Sequence, residues 1–478
     1  MRRGGLLAFA EMPPAPTKPA FAPTLRASWW PMVAGLFLAF VLLKLGNPVI
    51  LDHVAGSPEG WAEVLFETWP AVWGYGVLAV VTVAGVLQWR RPAGVPLWAL
   101  ALPGGWLAWQ FLAATTTVDA SLTKVVLPHF VATVVCFGLG LSAGASAGAR
   151  RVWLGLLVGL LVVLGSGFRQ QYGGLAASRE FFYENEKTGW KDVPPEELAR
   201  LEAIRLLMRR ADGSLTINPD LLPKLAKDRI MGTLVYPNAL AGVVLLLLPG
   251  ALLTVWGASG RLQNVTRGVL VGLVAYMGLA CLYWSGSKAG WLVALAVGGV
   301  ALLNLPLPRV LKTGLVLAVA AGGLAGFAWK YQSYFAGGAR SANARFDYWS
   351  VAARTALSRP LLGSGPGTFY AVYRQEKRPE AEMSRLAHND YLQQASDSGA
   401  VGLLTFGGFI WASLIGLYRI TRGDWALFSV WLGLLGWALQ SFVEFGLYIP
   451  ALAWTAFFVS GWLWTAARNG FDTARPAT

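Results

Sequence analysis

The chain has 478 residues, a mean hydropathy of +0.50, 55% hydrophobic and only 13% charged residues, and a formal charge of +14. Soluble chains carry roughly 25% charged residues, and a water-soluble fold of this length could not hide so much apolar surface. A soluble enzyme, a disordered chain and a disulfide scaffold are therefore excluded, and an all-α polytopic membrane protein is expected. Cys136 and Cys281 both fall inside apolar runs, so they imply no disulfide framework.

The first 28 residues read as a disordered tail, with a Pro/Ala-rich tract from Pro13 to Pro23. The apolar stretch between Arg3 and Glu11 is too short for the core of a signal peptide, so the first span is expected to act as an uncleaved anchor. Apolar runs long enough to cross a ~30 Å hydrocarbon core begin near Trp29, Trp69, Val95, Val125 and Val152, giving five spans over residues 29–168. Residues 169–230 form a long polar segment. Within it Pro194, Pro195, Glu196 and Glu197 suit a helix's first turn, and Leu198, Leu201, Ile204, Leu207 and Met208 repeat at helical spacing to about Arg210. Four more runs begin near Met231, Gly268, Ala289 and Val310, filling residues 231–330. A second long segment, 331–398, holds a predicted helix from Ala344 to Ser358 and the run Gly363-Ser364-Gly365-Pro366-Gly367. The last three runs start near Val401, Trp425 and Leu447 within residues 399–478, for about twelve spans in all.

The linkers alternate in charge. One set holds Arg2, Arg3, Lys18, Arg26, Arg90, Arg91, Arg150, Arg151, Arg261, Arg267, Arg309, Lys312, Arg419, Arg422, Arg468 and Arg475, against the acids Glu11, Asp424 and Asp472. Nearly the whole excess of +14 sits there, which is a topology signal and not a nucleic-acid footprint. Both termini are expected on the cytoplasmic side, with the segments 169–230 and 331–398 outside. Loops that long usually have work of their own. Trp29, Trp30, Trp69, Trp89, Trp284 and Trp291 near span ends read as interfacial anchors.

Span interiors are almost free of ionisable residues; Lys44, Lys330 and Glu444 lie near span ends. A transporter would need charged or unwound segments at mid-membrane, so chemistry at the outer surface is favoured over a path through the bilayer. His53 and His129 have no ligand-type neighbours at metal-binding spacing, and both read as structural. His388 stands just before an apolar helix that Asn389 or Asp390 can cap. The positive end of that helix dipole disfavours an imidazolium, which leaves two readings, a general base or a hydrogen-bonding histidine. Arg229 precedes Met231-Gly232-Thr233-Leu234-Val235-Tyr236-Pro237-Asn238, Arg345 opens the 344–358 helix, and Lys288 follows Ser285-Gly286-Ser287. Guanidinium groups pair bidentately with phosphate oxygens; the alternative for each is snorkelling to the interface. The Gly363–Gly367 run is either a phosphate nest or an ordinary turn.

These segments together resemble the O-antigen ligase and polymerase superfamily of bacterial inner-membrane glycosyltransferases. His388-Asn389 followed after nine residues by Gly399 and then Gly402 fits the ligase signature. Ser285 to Trp291, Gly232 to Gly242, and Arg345 to Phe369 are similar to three further family segments. The resemblance runs from about Arg229 to the last span. It implies transfer of a glycan from an undecaprenyl-diphosphate carrier to an acceptor hydroxyl in the membrane, without metal, nucleotide or nucleic acid. His388 would be the base, Arg229, Arg345 and Lys288 would hold the diphosphate, and Asn389, Asp390, Asn238 and Gly399 would support the site. Lys288 stands where the family usually has Arg, and keeps the charge without the bidentate fork. Asp390 or Asp397 would orient His388, cap a helix or be solvated. The acceptor is a lipid A-core, a growing polysaccharide or a protein; a lipid-linked sugar flippase is the reading from another class.

Overall fold

The computed structural model describes residues 28–468 except 55, 59, 90–91, 204–205 and 220–221; the expectations for the N-terminal tail, Arg90, Arg91 and Arg475 lie outside the described residues. Eighteen α-helices are described: α1 (Trp30–Lys44), α2 (Trp61–Phe66), α3 (Ala71–Leu87), α4 (Leu97–Ala114), α5 (Ala120–Gly144), α6 (Arg151–Arg169), α7 (Leu175–Thr188), α8 (Pro195–Ala203), α9 (Leu222–Leu225), α10 (Pro237–Ala258), α11 (Asn264–Trp284), α12 (Lys288–Asn304), α13 (Arg309–Ala336), α14 (Arg340–Ser358), α15 (Phe369–Glu376), α16 (Asp390–Thr421), α17 (Trp425–Gln440) and α18 (Pro450–Ala466). Among the described residues, seven helical stretches are long and apolar enough to cross a bilayer, and α1, α3, α12 and α17 are shorter apolar helices. The chain is a multi-pass, mostly helical membrane protein.

Local sequence sets where these helices start. Pro31, Pro237 and Pro450 occupy first turns, where a missing N–H costs nothing. The side chains of Asp119, Ser287, Asn389 and Asp424 accept from free backbone N–H groups at the starts of α5, α12, α16 and α17. In lipid there is little hydrophobic drive between helices, so close backbone approach decides packing. Accordingly α18 packs along α5 and α1 along α6 where glycines meet the facing backbone: a Cβ on Gly140 would lie 2.0 Å from the Phe458 carbonyl oxygen, and one on Gly35 2.4 Å from that of Val152.

Consecutive long helices alternate in direction, so Arg150, Arg151, Arg261, Arg267, Arg309, Lys312, Arg419 and Arg422 collect at one end, the basic end. The segments 170–230 and 337–389 lie at the other. Two expectations for the apolar surface and the first segment are corrected here. Trp30 is not an interfacial anchor but fully buried, packed against Gly85 of α3, whereas Trp29 is exposed. The amphipathic helix expected to reach Arg210 ends at Ala203; Leu207–Arg209 is instead strand β1, paired antiparallel with β2 (Leu215–Ile217). Asp212 and Gly213 close this hairpin, with Gly213 at φ +85°, and Leu207 and Ile217 face one small core shared with Phe182, Trp190 and Leu201.

The junction that positions the site is the start of α16. Its first turns, Asp390 to Ser398, are set off from the membrane helix by Gly399, at φ +69° and ψ −169°. A Cβ there would meet the Leu361 carbonyl oxygen at 2.0 Å, and the next N–H, of Ala400, donates to Pro360 O. The Gly363–Gly367 run wraps the same turns: the N–H groups of Ser364, Gly365 and Gly367 go to Ser396 O, Asp397 O and the Asp397 carboxylate. Its donors are thus spent within the protein, so the run is a structural turn and not a phosphate nest.

Candidate functional site

A cavity of about 320 Å³ opens at the end of the bundle opposite the basic linkers. His388 enters it from the residue before the α16 cap. Asn389 accepts from Leu392 N at 3.0 Å, as a capping residue should, and Ala387 N donates to Gln393 Oε1 at 2.8 Å. Between these two anchors the backbone of His388 is held at φ +52°, a region that side chains other than glycine rarely adopt. The imidazole stacks on Tyr348 of α14 at 5.7 Å and meets Phe445 at 4.7 Å and Tyr236 at 6.3 Å edge-on, so three rings fix its plane.

The partner of His388 was not expected from the sequence. Glu444, buried on the short connection after α17, places Oε2 3.4 Å from His388 Nδ1. A carboxylate can only accept, so Nδ1 carries the proton and Nε2 is left as the ring's acceptor. The other oxygen of Glu444, Oε1, takes 2.6 Å bonds from Arg345 Nη2 and from Asn238 Nδ2. Asn238 also donates to the Tyr236 hydroxyl, and its Oδ1 accepts from Arg229 Nη2 at 2.8 Å. One continuous network therefore runs from Arg229 through Asn238 and Glu444 to Arg345 and His388. It joins the loop before α10, α14, α16 and the connection after α17.

The two arginines are held differently. Arg345 donates from Nε to Val443 O, from Nη1 to Ser341 O and from Nη2 to Glu444, so each of its nitrogens is already engaged. Arg229 donates from Nε to Ser285 O and from Nη2 to Asn238, leaving Nη1 without a partner among the described residues. Its approach depends on Gly286, at φ +61°, whose Cβ position would lie 3.0 Å from Arg229 Nε. Lys288, the first residue of α12, lines the same cavity with its ammonium 3.9 Å from the Tyr334 ring centroid. Burial, reinforced by the negative charge of Glu382, pushes the Tyr348 phenol well above its ordinary range, so it stays a neutral hydroxyl at the cavity wall.

Arg229, Asn238, Lys288, Arg345 and His388 thus share one cavity. Asn389, Asp390 and Gly399 do not line it. Asn389 caps α16, and Gly399 makes the break in α16. Asp390 and Asp397 neither orient His388 nor face solvent. Both are fully buried; the Asp390 carboxylate accepts from Leu447 N, and that of Asp397 accepts from Gly367 N, Gln393 and Tyr448. His129 has the structural role expected of it, wedged between Leu447 O and the Trp454 indole.

Glu444, Tyr236, Tyr348 and Glu382 are the cavity residues that sequence reasoning missed. Glu444 did carry a signal, since an acid between apolar runs in a membrane chain needs a partner.

The O-antigen ligase family model matches residues 272–407 of the chain, a stretch that contains Lys288, Arg345 and His388. Over that stretch the chain is similar to the O-antigen ligase family, which supports the superfamily resemblance. Arg229, Asn238 and Glu444 lie outside the matched residues and join the superfamily segment through the hydrogen-bond network. No curated protein matches the chain by sequence.

Proposed function

We propose that this protein is a glycosyltransferase of the O-antigen ligase superfamily that moves a glycan from an undecaprenyl-diphosphate carrier to an acceptor hydroxyl, as a ligase to a lipid A-core or similar acceptor. One observation carries the reading: a histidine with an open ring nitrogen, two arginines and a lysine line a single cavity at the end opposite the basic linkers. In this reading the chain crosses the bacterial inner membrane about twelve times. Both termini are cytoplasmic, and the segments 169–230 and 331–398 lie with the cavity in the periplasm.

The chemistry follows from the donors. An acceptor hydroxyl oxygen attacks the anomeric carbon of the glycan while its proton passes to His388 Nε2. The carbon–oxygen bond to the carrier breaks, and its electron pair leaves with the diphosphate, inverting the anomeric centre. Arg229, with Nη1 open, Arg345 and Lys288 stabilise the developing phosphate charge, a task fixed cations perform best where water is excluded. Glu444 fixes the tautomer of His388 and steadies the imidazolium formed in the step. This arrangement supplies both needs of the reaction, a base and a positive cradle, from the chain's own side chains.

The test is transfer by the purified protein, given labelled carrier-linked glycan and acceptor in detergent with no gradient. Product formation supports a transferase; movement of intact carrier across a vesicle without bond cleavage would instead mark a flippase. Product mass spectrometry from cells with and without the gene separates loss of capped lipopolysaccharide, of chain length or of protein glycosylation, and so distinguishes ligase from polymerase and from protein glycosylation.

A further inference from the structure

The cavity around His388 differs from one end to the other. Ser341, Ala344, Arg345 and Tyr348 line it from one face of α14, so it extends about 10 Å along that helix. Cations gather toward the Ser341 end. The Lys288 ammonium lies 3.9 Å from the Tyr334 ring centroid, and the Tyr334 hydroxyl is 2.9 Å from Ser341 Oγ. Arg229 Nε donates to Ser285 O in the turn that leads into Lys288. The base stands at the Tyr348 end, where the His388 imidazole stacks on the Tyr348 ring.

That second end also holds the spare polar groups. Glu444 and Glu382 both line the cavity. Glu444 is already engaged with Arg345, Asn238 and His388. Glu382 is exposed, and its carboxylate makes no hydrogen bond or ion pair among the described residues. Its backbone is pinned beside Tyr348: the Tyr373 hydroxyl donates to Glu382 O at 2.8 Å, and the Tyr373 ring meets Tyr348 edge-on at 5.3 Å. The Tyr348 hydroxyl is likewise without a hydrogen bond among the described residues, and as a neutral phenol it can both donate and accept.

In-line displacement puts the attacking and leaving oxygens on opposite sides of the anomeric carbon. A base at one end and cations at the other therefore mark an acceptor end and a carrier end. A carboxylate repels phosphate but accepts from neighbouring hydroxyls of a sugar ring. Resting on the transfer reaction proposed above, we infer that Tyr348 and Glu382 form a subsite for an uncharged acceptor sugar, bonding hydroxyls next to the one that attacks. Glu382 thereby sets a specificity. An acceptor ring that carries phosphate or carboxylate at this point is turned away, whatever glycan the carrier brings.

Ligand-observed NMR of the full chain in mild detergent tests this without requiring turnover. The probes are the methyl glycosides of glucose, galactose and mannose and their primary phosphate esters, with the cation end saturated by farnesyl diphosphate. At least one neutral glycoside is expected to bind alongside the diphosphate, and its phosphate ester more weakly by roughly tenfold. Glu382→Ala should weaken the neutral sugar by roughly tenfold, the loss of a hydrogen bond to a charged group, with farnesyl diphosphate binding kept within about twofold. Glu382→Gln keeps the shape and should erase the preference over the phosphate ester. Both variants should fold, because the Glu382 carboxylate supports nothing else among the described residues. Three results would each overturn the subsite: no neutral sugar bound by the wild type, sugar binding unchanged in Glu382→Ala, or displacement of the sugar by farnesyl diphosphate. Sugar binding through Glu382 with no transfer from carrier-linked glycan would uphold the subsite and remove the proposed reaction instead.

Discussion

The segments 170–230 and 337–389 lie at the same end of the bundle and are close in length, but they are joined to the bundle in different ways. The first folds on itself. Phe182, Trp190, Val193, Leu201, Leu207 and Ile217 make a core of their own, an ion pair between Arg179 and Asp228 closes the unit on itself, and surface ion pairs from Arg200 to Glu63 and Glu67 tie it to the rest. The second also has a small core of its own, but it is bonded to the bundle through its backbone. Tyr348, Val351 and Ala352 of α14 pack on Phe369 and Tyr373 of α15 and on Ala387, and its glycine run is bonded to the first turns of α16. A segment locked to the bundle at many points can hold a side chain to a fraction of an ångström, and this one delivers Arg345, Tyr348 and His388. A segment with its own core and salt-bridge tethers suits covering or recognising what enters the cavity.

That contrast is most sharply broken at His388. His388→Ala should lower transfer by roughly 10²–10⁴-fold, the usual contribution of a well-placed base, with donor binding kept. Turnover at the wild-type rate in the purified assay would remove the base from the proposed mechanism. Glu444→Gln comes next. It preserves shape and the contact with Asn238 but removes the charge facing Arg345 and His388, so kcat should fall roughly 10- to 100-fold, the worth of a charged hydrogen bond. A change in KM alone would mean Glu444 only supports the fold. Arg229→Lys keeps a cation yet loses the fork shared between Ser285 O, Asn238 and the open Nη1. Donor KM should rise about tenfold with kcat less affected.

The same contrast explains what could be read from the sequence. Arg345 and His388 were legible because each sits beside a local signal: Arg345 inside a helical stretch, and His388 one residue before a capping asparagine. Arg229 was legible from its place before the Pro237 helix start. Glu444 was not, because its meaning depends on Asn238, 206 residues away, and on Arg345, 99 residues away. Tertiary packing alone brings them together. The hairpin at Leu207–Ile217 was hidden by Leu198, Leu201, Leu207 and Met208, whose spacing fits a helix as well, although Asp212-Gly213 was there as a turn signal. The glycine run looked like a possible phosphate cradle since its positive φ angles suit both uses; only its bonds to Ser396 and Asp397 decide between them.

Stability should separate the two segments next. Gly399→Ala places a methyl against the Leu361 carbonyl and forces a positive φ on alanine, so the detergent-solubilised protein should lose about 1–3 kcal/mol or more in thermal unfolding. Because Gly399 fixes the angle between the site-end turns and the membrane helix, transfer should fall with it. Retained stability and activity would mean that α16 tolerates a straight course at this point.

The smallest effect is expected in the self-contained segment. Arg200 bridges Glu63 and Glu67 on the connection that holds α2, with all three side chains substantially exposed. Exposed ion pairs contribute about 0–1 kcal/mol, so Arg200→Ala should leave the melting temperature nearly unchanged. The segment's core lies elsewhere, around Trp190 and Leu207, and survives the loss of one tether. Transfer to a small synthetic acceptor should therefore be close to wild type, because no group in the cavity moves. A native, bulky acceptor would respond differently if the segment covers the entrance, since a loosened cover changes access more than chemistry. A fall in kcat for both acceptors alike would show that residues 170–230 reach the catalytic network itself, through the Gln170 side chain that grips Met231 N and Gly232 N just beyond Arg229.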